Sequence, residues 1–187
     1  ANGGCTSTAS YTVDVIGIPE AQIGIPPSAC AGDTVSITIP VASPGIANYQ
    51  WDFSGGDVLR TPTNTDGTYR LRWISPGLHT VSLTVVSQQQ CPSFTTTADI
   101  DIHPLPDATI ADMPAEICAN DTVLFSARTH SGNYYYMWGP GQFFTIDGDS
   151  SIVKALLQFS RDVVLTVYDN YGCTASNSRH IELKPCC

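Results

Sequence analysis

The chain has 187 residues, enough for one or two domains with a core in each. Charged residues are 13% of it, about half the soluble average, and the net charge is -9 with only eight lysines and arginines. No basic cluster is present to neutralise nucleic-acid phosphates or hold an anionic membrane surface, and no run of about 18 apolar residues can span a bilayer. No charged region leads into an apolar stretch at the start, so no retained signal peptide is expected.

In chain order, "CTSTASYTVDVIGIP" from Cys5 reads as a strand-like run ending at Pro19. "DTVSITIP" alternates Val35, Ile37 and Ile39 inward against Thr34, Ser36 and Thr38 outward, the period of a half-buried strand. "NYQWDFSGG", "TYRLRWISPG", "HTVSLTVVS" and "SFTTTADIDIHP" follow, each closed by turn residues. Pro104-Leu105-Pro106 reads as a short stiff linker, because proline fixes φ and cannot continue a ladder. Beyond it come "DTVLFSAR", "YYYMWGPG", "QFFTIDGD", "SIVKALLQFS", "RDVVLTVYDN" and "TASNSRHIEL", all read as strands. Turn signals every 8–12 residues predict an all-β fold of sandwich type.

The series repeats. Cys5, Cys91 and Cys173 each open a Thr/Ser-rich alternating stretch that ends at a proline, at intervals of roughly 85 residues. "ACAGDTVSITIP" at Cys30 and "ICANDTVLFSAR" at Cys118 form a second series, out of phase with the first. The expected organisation is two tandem Ig-like sandwiches at residues 19–104 and 105–187. Residues 1–18 then read as the last strand of a preceding repeat, or as an exchanged strand.

"YQWDFSGG" followed by "SPGLHTVSLTV" resembles the W-D-F-G-D-G … G-x-Y-T-V-x-L-T-V pattern of PKD domains. "RDVVLTVYDNYGC" is similar to the ending of cysteine-bearing PKD-like repeats in surface adhesins of Bacteroidota, including gliding-motility adhesins. The resemblance covers nearly the whole chain and implies an Ig-like fold with an adhesive role at the cell surface. The second repeat departs from the pattern: it keeps Trp138 but lacks the Asp-Phe that follows Trp51, so no shared role attaches to Asp52.

Trp51 and Trp138 hold matching places and read as core aromatics. Tyr134-Tyr135-Tyr136 leaves one ring facing outward by alternation, which could stack on a sugar. Asp147 and Asp149, with Asp57 and Asp66, could supply oxygens to calcium, but no EF-hand spacing occurs and Asp-Gly is an ordinary turn signal. His79, His103, His130 and His180 have no partner logic for catalysis; Ser82 shares a strand with His79, and GxSxG and HExxH are absent. Lys154 is better read as solvated than as an isopeptide donor. No cofactor and no enzymatic activity are expected. Asp33-Thr34-Val35 and Asp121-Thr122-Val123 resemble the acceptor that Bacteroidota use for O-glycosylation, and both hydroxyls face outward by alternation.

The seven cysteines, Cys5, Cys30, Cys91, Cys118, Cys173, Cys186 and Cys187, form no CxxC pair and have no histidine at zinc-ligand spacing. Such usage fits an oxidising, extracellular setting. Two pairing schemes are open. Bridges within each repeat, Cys30–Cys91 and Cys118–Cys173, would close loops of about 55–60 residues, worth roughly 4 kcal/mol each. Against them, Cys30 and Cys118 precede the second strand, while Cys91 and Cys173 lie in the last hairpin turn at the opposite end. A strand of about seven residues separates the two ends by roughly 23 Å, and a bridge needs Cα atoms within about 7 Å. In sandwiches stacked end to end, Cys30 meets Cys173 across the junction, Cys118 meets a following unit or Cys186 or Cys187, and Cys91 looks back to a preceding unit. The expected partners are neighbouring repeats or identical subunits, with surface glycans a further candidate. Nucleic acid and membrane insertion are not expected.

Overall fold

The computed structural model describes residues 3–62, 68–111, 113, 117–130, 132–140, 144–147 and 149–184. Among them are thirteen strands and no helix. The first seven are β1 (Ser28–Cys30), β2 (Val35–Ile37), β3 (Ile46–Asp52), β4 (Asp57–Arg60), β5 (Tyr69–Arg72), β6 (Gly77–Ser87) and β7 (Thr96–His103). They form two sheets, ordered β1-β7-β6-β3 and β2-β5-β4. β1 runs parallel to β7, with Cys30 opposite His103, and the other pairs are antiparallel.

The remaining six are β8 (Asp121–Ser126), β9 (Tyr135–Gly139), β10 (Thr145–Asp147), β11 (Asp149–Leu157), β12 (Arg161–Tyr168) and β13 (Thr174–Ile181). They form sheets ordered β10-β11-β8 and β13-β12-β9, all antiparallel. The chain is therefore all-β, with two β-sandwiches in tandem.

Alternation builds each core. Val81, Leu83 and Val85 of β6 are buried, and Val163, Leu165 and Val167 of β12 match them on the second sandwich. Each such side chain contributes about 1.5–3 kcal/mol on leaving water. Ile37, Leu71, Trp73, Ile100 and Ile102 complete the first core; Phe125, Trp138, Ala155 and Leu157 belong to the second. No buried residue is shared between the two cores, so each sandwich holds its own.

β1 and β4 are additional strands, too short and too exposed to show an apolar alternation. Residues 3–18 carry no strand pairing within the chain and are exposed throughout. Trp51 is only half-buried: it sits on edge strand β3, stacked on Phe53, while Trp73 is 1% exposed and fills the first core.

The first sandwich has two distinct ends. At its near end, where the chain enters, Ser43 N–H donates to Glu20 O and Gln88 N–H to Gly45 O. At its far end lie the β1–β2 turn and His103, the last residue of β7.

Candidate functional site

The site is a covalent junction between the sandwiches. Cys30 closes β1 at the far end of the first. Ala31 N–H donates to His103 O (2.9 Å), Gly32 N–H to Trp73 O (2.7 Å) and Asp33 N–H to Cys30 O (3.0 Å), so the turn is pinned to the core below it. Gly32 has φ +88°, a left-handed conformation that a side chain would strain.

Cys173 stands in the β12–β13 turn of the second sandwich. Asp169 organises this turn: its N–H donates to Cys173 O (3.0 Å), and its Oδ1 accepts the N–H groups of Tyr171 (2.9 Å) and Cys173 (2.8 Å). Gly172 supplies the positive φ.

Cys30 and Cys173 form a disulfide, with Cα atoms 5.5 Å apart and a sequence separation of 143. Beside it, the rings of His103 and Tyr171 stack with centroids 3.9 Å apart and planes 15° from parallel. The bridge and the stack join the far end of one sandwich to a hairpin turn of the other. The pairing of Cys30 with Cys91 and of Cys118 with Cys173 is not the one formed, because those residues stand at opposite ends of their own sandwiches.

Cys118 occupies the place in the second sandwich that Cys30 has in the first. It bridges Lys184 in parallel, as Cys30 does His103, and Asp121 Oδ2 accepts its N–H (3.0 Å). It is disulfide-bonded. Cys186 and Cys187 lie outside the described residues. Cys5 and Cys91 are free thiols, exposed and half-buried respectively.

The other candidates are dispersed. Thr34 and Thr122 are exposed, each directly after its aspartate. Trp138 is buried and donates its indole N–H to Ser150 O (3.0 Å); Trp73 does the same to Phe53 O (3.1 Å). Trp73 was legible as the third inward position after Tyr69 and Leu71, with Arg70 and Arg72 between them. Tyr135 is the outward ring of its triplet at 63% exposed, with Tyr136 buried beneath the same sheet.

Asp147 and Asp149 pair across β10 and β11 by backbone register, and their side chains lie outside the described residues, as does Asp66. Asp57 meets Arg72 at 3.5 Å. No group of three metal-ligating side chains occurs among the described residues.

His180 and Asp162 are paired on the surface at 2.7 Å, and His79 bonds the Ser54 and Ser75 carbonyls. Sequence reading missed the contact of His130 Nδ1 with Ser151 Oγ at 2.5 Å. Ser151 is 1% exposed, so its oxygen is closed to a substrate and the bond serves to satisfy a buried hydroxyl. No helix among the described residues is long and apolar enough to cross a membrane.

Fold and junction together define a tandem β-sandwich chain with a cross-linked interdomain joint. Residues 21–98, which span most of the first sandwich, match the PKD domain family. No curated protein matches the chain. Among solved structures, it is similar to a C-terminal 282-residue fragment of intimin, crystallised with the translocated intimin receptor's intimin-binding domain. The identity is 15% and the TM-score 0.48, over 89% of this chain and 63% of that one. It is also similar to fibronectin(III)-like modules of Clostridium thermocellum CbhA, at 11% identity and TM-score 0.37, over 88% of this chain and 95% of that one. A structure of carbohydrate-binding modules from the β-sandwich superfamily matches at 19% identity and TM-score 0.39, covering 80% and 54%.

Proposed function

We propose that the chain is a non-catalytic structural and adhesive segment of a long extracellular or surface-filament protein, in which disulfides stiffen sandwiches joined end to end. The observation that carries this reading is the Cys30–Cys173 bridge. Two bodies joined by one linker bend freely about it. Here the Pro104–Pro106 linker and the bridge are two separate connections, which leave rotation only about the line between them. The bridge also changes the path of a pulling force. Tension applied at the two ends passes from Cys30 to Cys173 through sulfur, and the strands between them are bypassed.

Small-angle scattering tests the stiffening. The oxidised chain should fit one narrow distribution of interdomain angles, and the Cys30→Ala/Cys173→Ala chain a broad one. Identical distributions would remove the bridge from the joint's mechanics. Exposed Thr34 and Thr122 serve in this reading as O-glycan acceptors that keep a weakly charged surface soluble. Intact mass of the native protein, compared with a Thr34→Ala/Thr122→Ala chain, checks them.

A second reading, a carbohydrate-binding module, is favoured by Tyr135, whose exposed ring lies 6.0 Å from that of Tyr168. Glycan-array binding abolished by Tyr135→Ala would select it, and a flat array would end it.

A further inference from the structure

Two hairpin turns in the chain are built alike, and only one has its cysteine bonded. In the β6–β7 turn, Ser87 N–H donates to Cys91 O (3.0 Å), Gln90 N–H to Ser87 O (2.9 Å) and Cys91 N–H to Ser87 Oγ (3.2 Å). In the β12–β13 turn, Asp169, Gly172 and Cys173 make the same three bonds in the same order. Gln90 even takes φ +67° where Gly172 takes +87°. Cys173 is bonded to the sandwich that precedes it, whereas Cys91 is a free thiol. The chain thus contains its own comparison: the same position, one repeat later, is a junction cysteine.

The near end of the first sandwich exposes apolar side chains. Phe94 is 81% exposed and Val41 54%. With Pro19, Ala21 and Thr96 they line a concavity of about 270 Å³ at the near end of the first sandwich.

The segment leading into that end is an unpaired strand by pattern. Tyr11, Val13 and Val15 are 90%, 78% and 91% exposed, at alternate positions that share one face of a strand, with Thr12 and Asp14 on the other. Counted back from the prolines that close the two runs, Pro19 and Pro104, Val13 and Val15 fall at the places of Ala98 and Ile100, the run from Cys5 being one residue longer than that from Cys91. Ile100 is wholly buried in β7.

We propose that residues 11–16 are the last strand of another sandwich of this kind, one that precedes Cys5 in the parent polypeptide. A cysteine of that sandwich, at the place of Cys30, bonds Cys91 and forms a second stapled junction at the near end. The proposal rests on the stapled-segment reading above and extends it by a partner and a bond. The occupant is a whole sandwich because the one formed junction joins a hairpin turn to the far end of a whole sandwich. In the covalent step both S–H bonds break and one S–S bond forms. The two protons and two electrons pass to a disulfide oxidant, such as glutathione disulfide, which leaves as two thiols.

The test extends the full chain with a duplicate of residues 19–90 placed directly before Cys5, so that Cys5 follows Gln90 as Cys91 does. The chain is refolded in a glutathione and glutathione-disulfide buffer. Amide exchange at residues 11–16 should slow by roughly a hundredfold relative to the unextended chain. A non-reducing peptide map should link to Cys91 the duplicate's Cys30, told from the original by a Ser28→Thr mass tag placed in the duplicate alone. A second extended chain, carrying a complete duplicate of residues 19–104, shows that an added unit folds.

If that unit folds while residues 11–16 stay unprotected in the first chain, the strand assignment is overturned. If the added sandwich folds and Cys91 still reacts with iodoacetamide, the second junction is overturned. Disulfide-linked dimers of the unextended chain through Cys91, with residues 11–16 protected, would overturn the proposal in favour of a second copy as occupant. Loss of the Cys30–Cys173 peptide from the same map would instead end the stapled-segment reading itself.

Discussion

Consider pulling the chain by its two ends in a single-molecule force experiment. The bridged cysteines are 143 residues apart in sequence and 5.5 Å apart in space. At roughly 3.4 Å per extended residue, the loop between them holds about 490 Å of contour. With the bridge intact that length is outside the force path, since a covalent S–S link carries the load. Only the segments before Cys30 and after Cys173 can extend, peeling β1 and β13 from their sheets. The Cys30→Ala/Cys173→Ala chain returns the first sandwich to the force path. Its traces should show a long unfolding step that the oxidised parent lacks. The alanine pair is preferable to a reductant, because reduction also opens the bond at Cys118. Oxidised parent traces with the same long step as the variant would refute the bypass.

The same variant should lose thermodynamic stability in each sandwich separately. Bridge and linker together close a ring of roughly 70 residues through each unit, worth about 4 kcal/mol in the chain-entropy model; urea midpoints followed by amide exchange in the two cores measure it. Gly56→Ala would place a methyl group 2.7 Å from Trp73 Cε2 and should cost about 1–3 kcal/mol. Gly132→Ala, which meets nothing within 4 Å, should be close to neutral in the same denaturation assay.

Asp107 gives a pH-dependent prediction. Its carboxylate accepts the Thr109 N–H (2.9 Å) and the Thr129 hydroxyl (3.0 Å), and Arg128 adds a favourable charge. The Thr109 hydrogen bonds, chiefly, hold its pKa below the ordinary carboxylate value. A folded pKa lower than the unfolded one adds stability above the unfolded pKa, and that stability is lost as pH falls through the folded value. Asp107→Asn should therefore cost a few tenths of a kcal/mol at neutral pH, small because the group is exposed. The difference should vanish in acid; a constant difference across the acid range would refute the charge argument.

Much of this architecture was legible in the sequence because period-2 alternation states directly which residues face inward. Val35 and Ile37, Val81 to Val85, and Val163 to Val167 are buried as their spacing requires. β1 and β4 were not legible. β1 is three residues long and takes its order from parallel pairing with β7, and β4 exposes every side chain. Trp51, read as a core aromatic from its matching place with Trp138, packs half-buried against the first core, while alternation along Tyr69, Leu71 and Trp73 points to the wholly buried tryptophan. The cysteine geometry was legible as an argument about opposite ends of a strand. The His103–Tyr171 stack was not, since a strand terminus and a turn residue carry no periodic signal and meet only when two sandwiches are joined.

The central claim is a covalent joint between the sandwiches, and a non-reducing peptide map of the native protein tests it most directly. The account predicts a peptide pair linking Cys30 to Cys173, with Cys91 outside it. A pair linking Cys30 to Cys91 would contradict it.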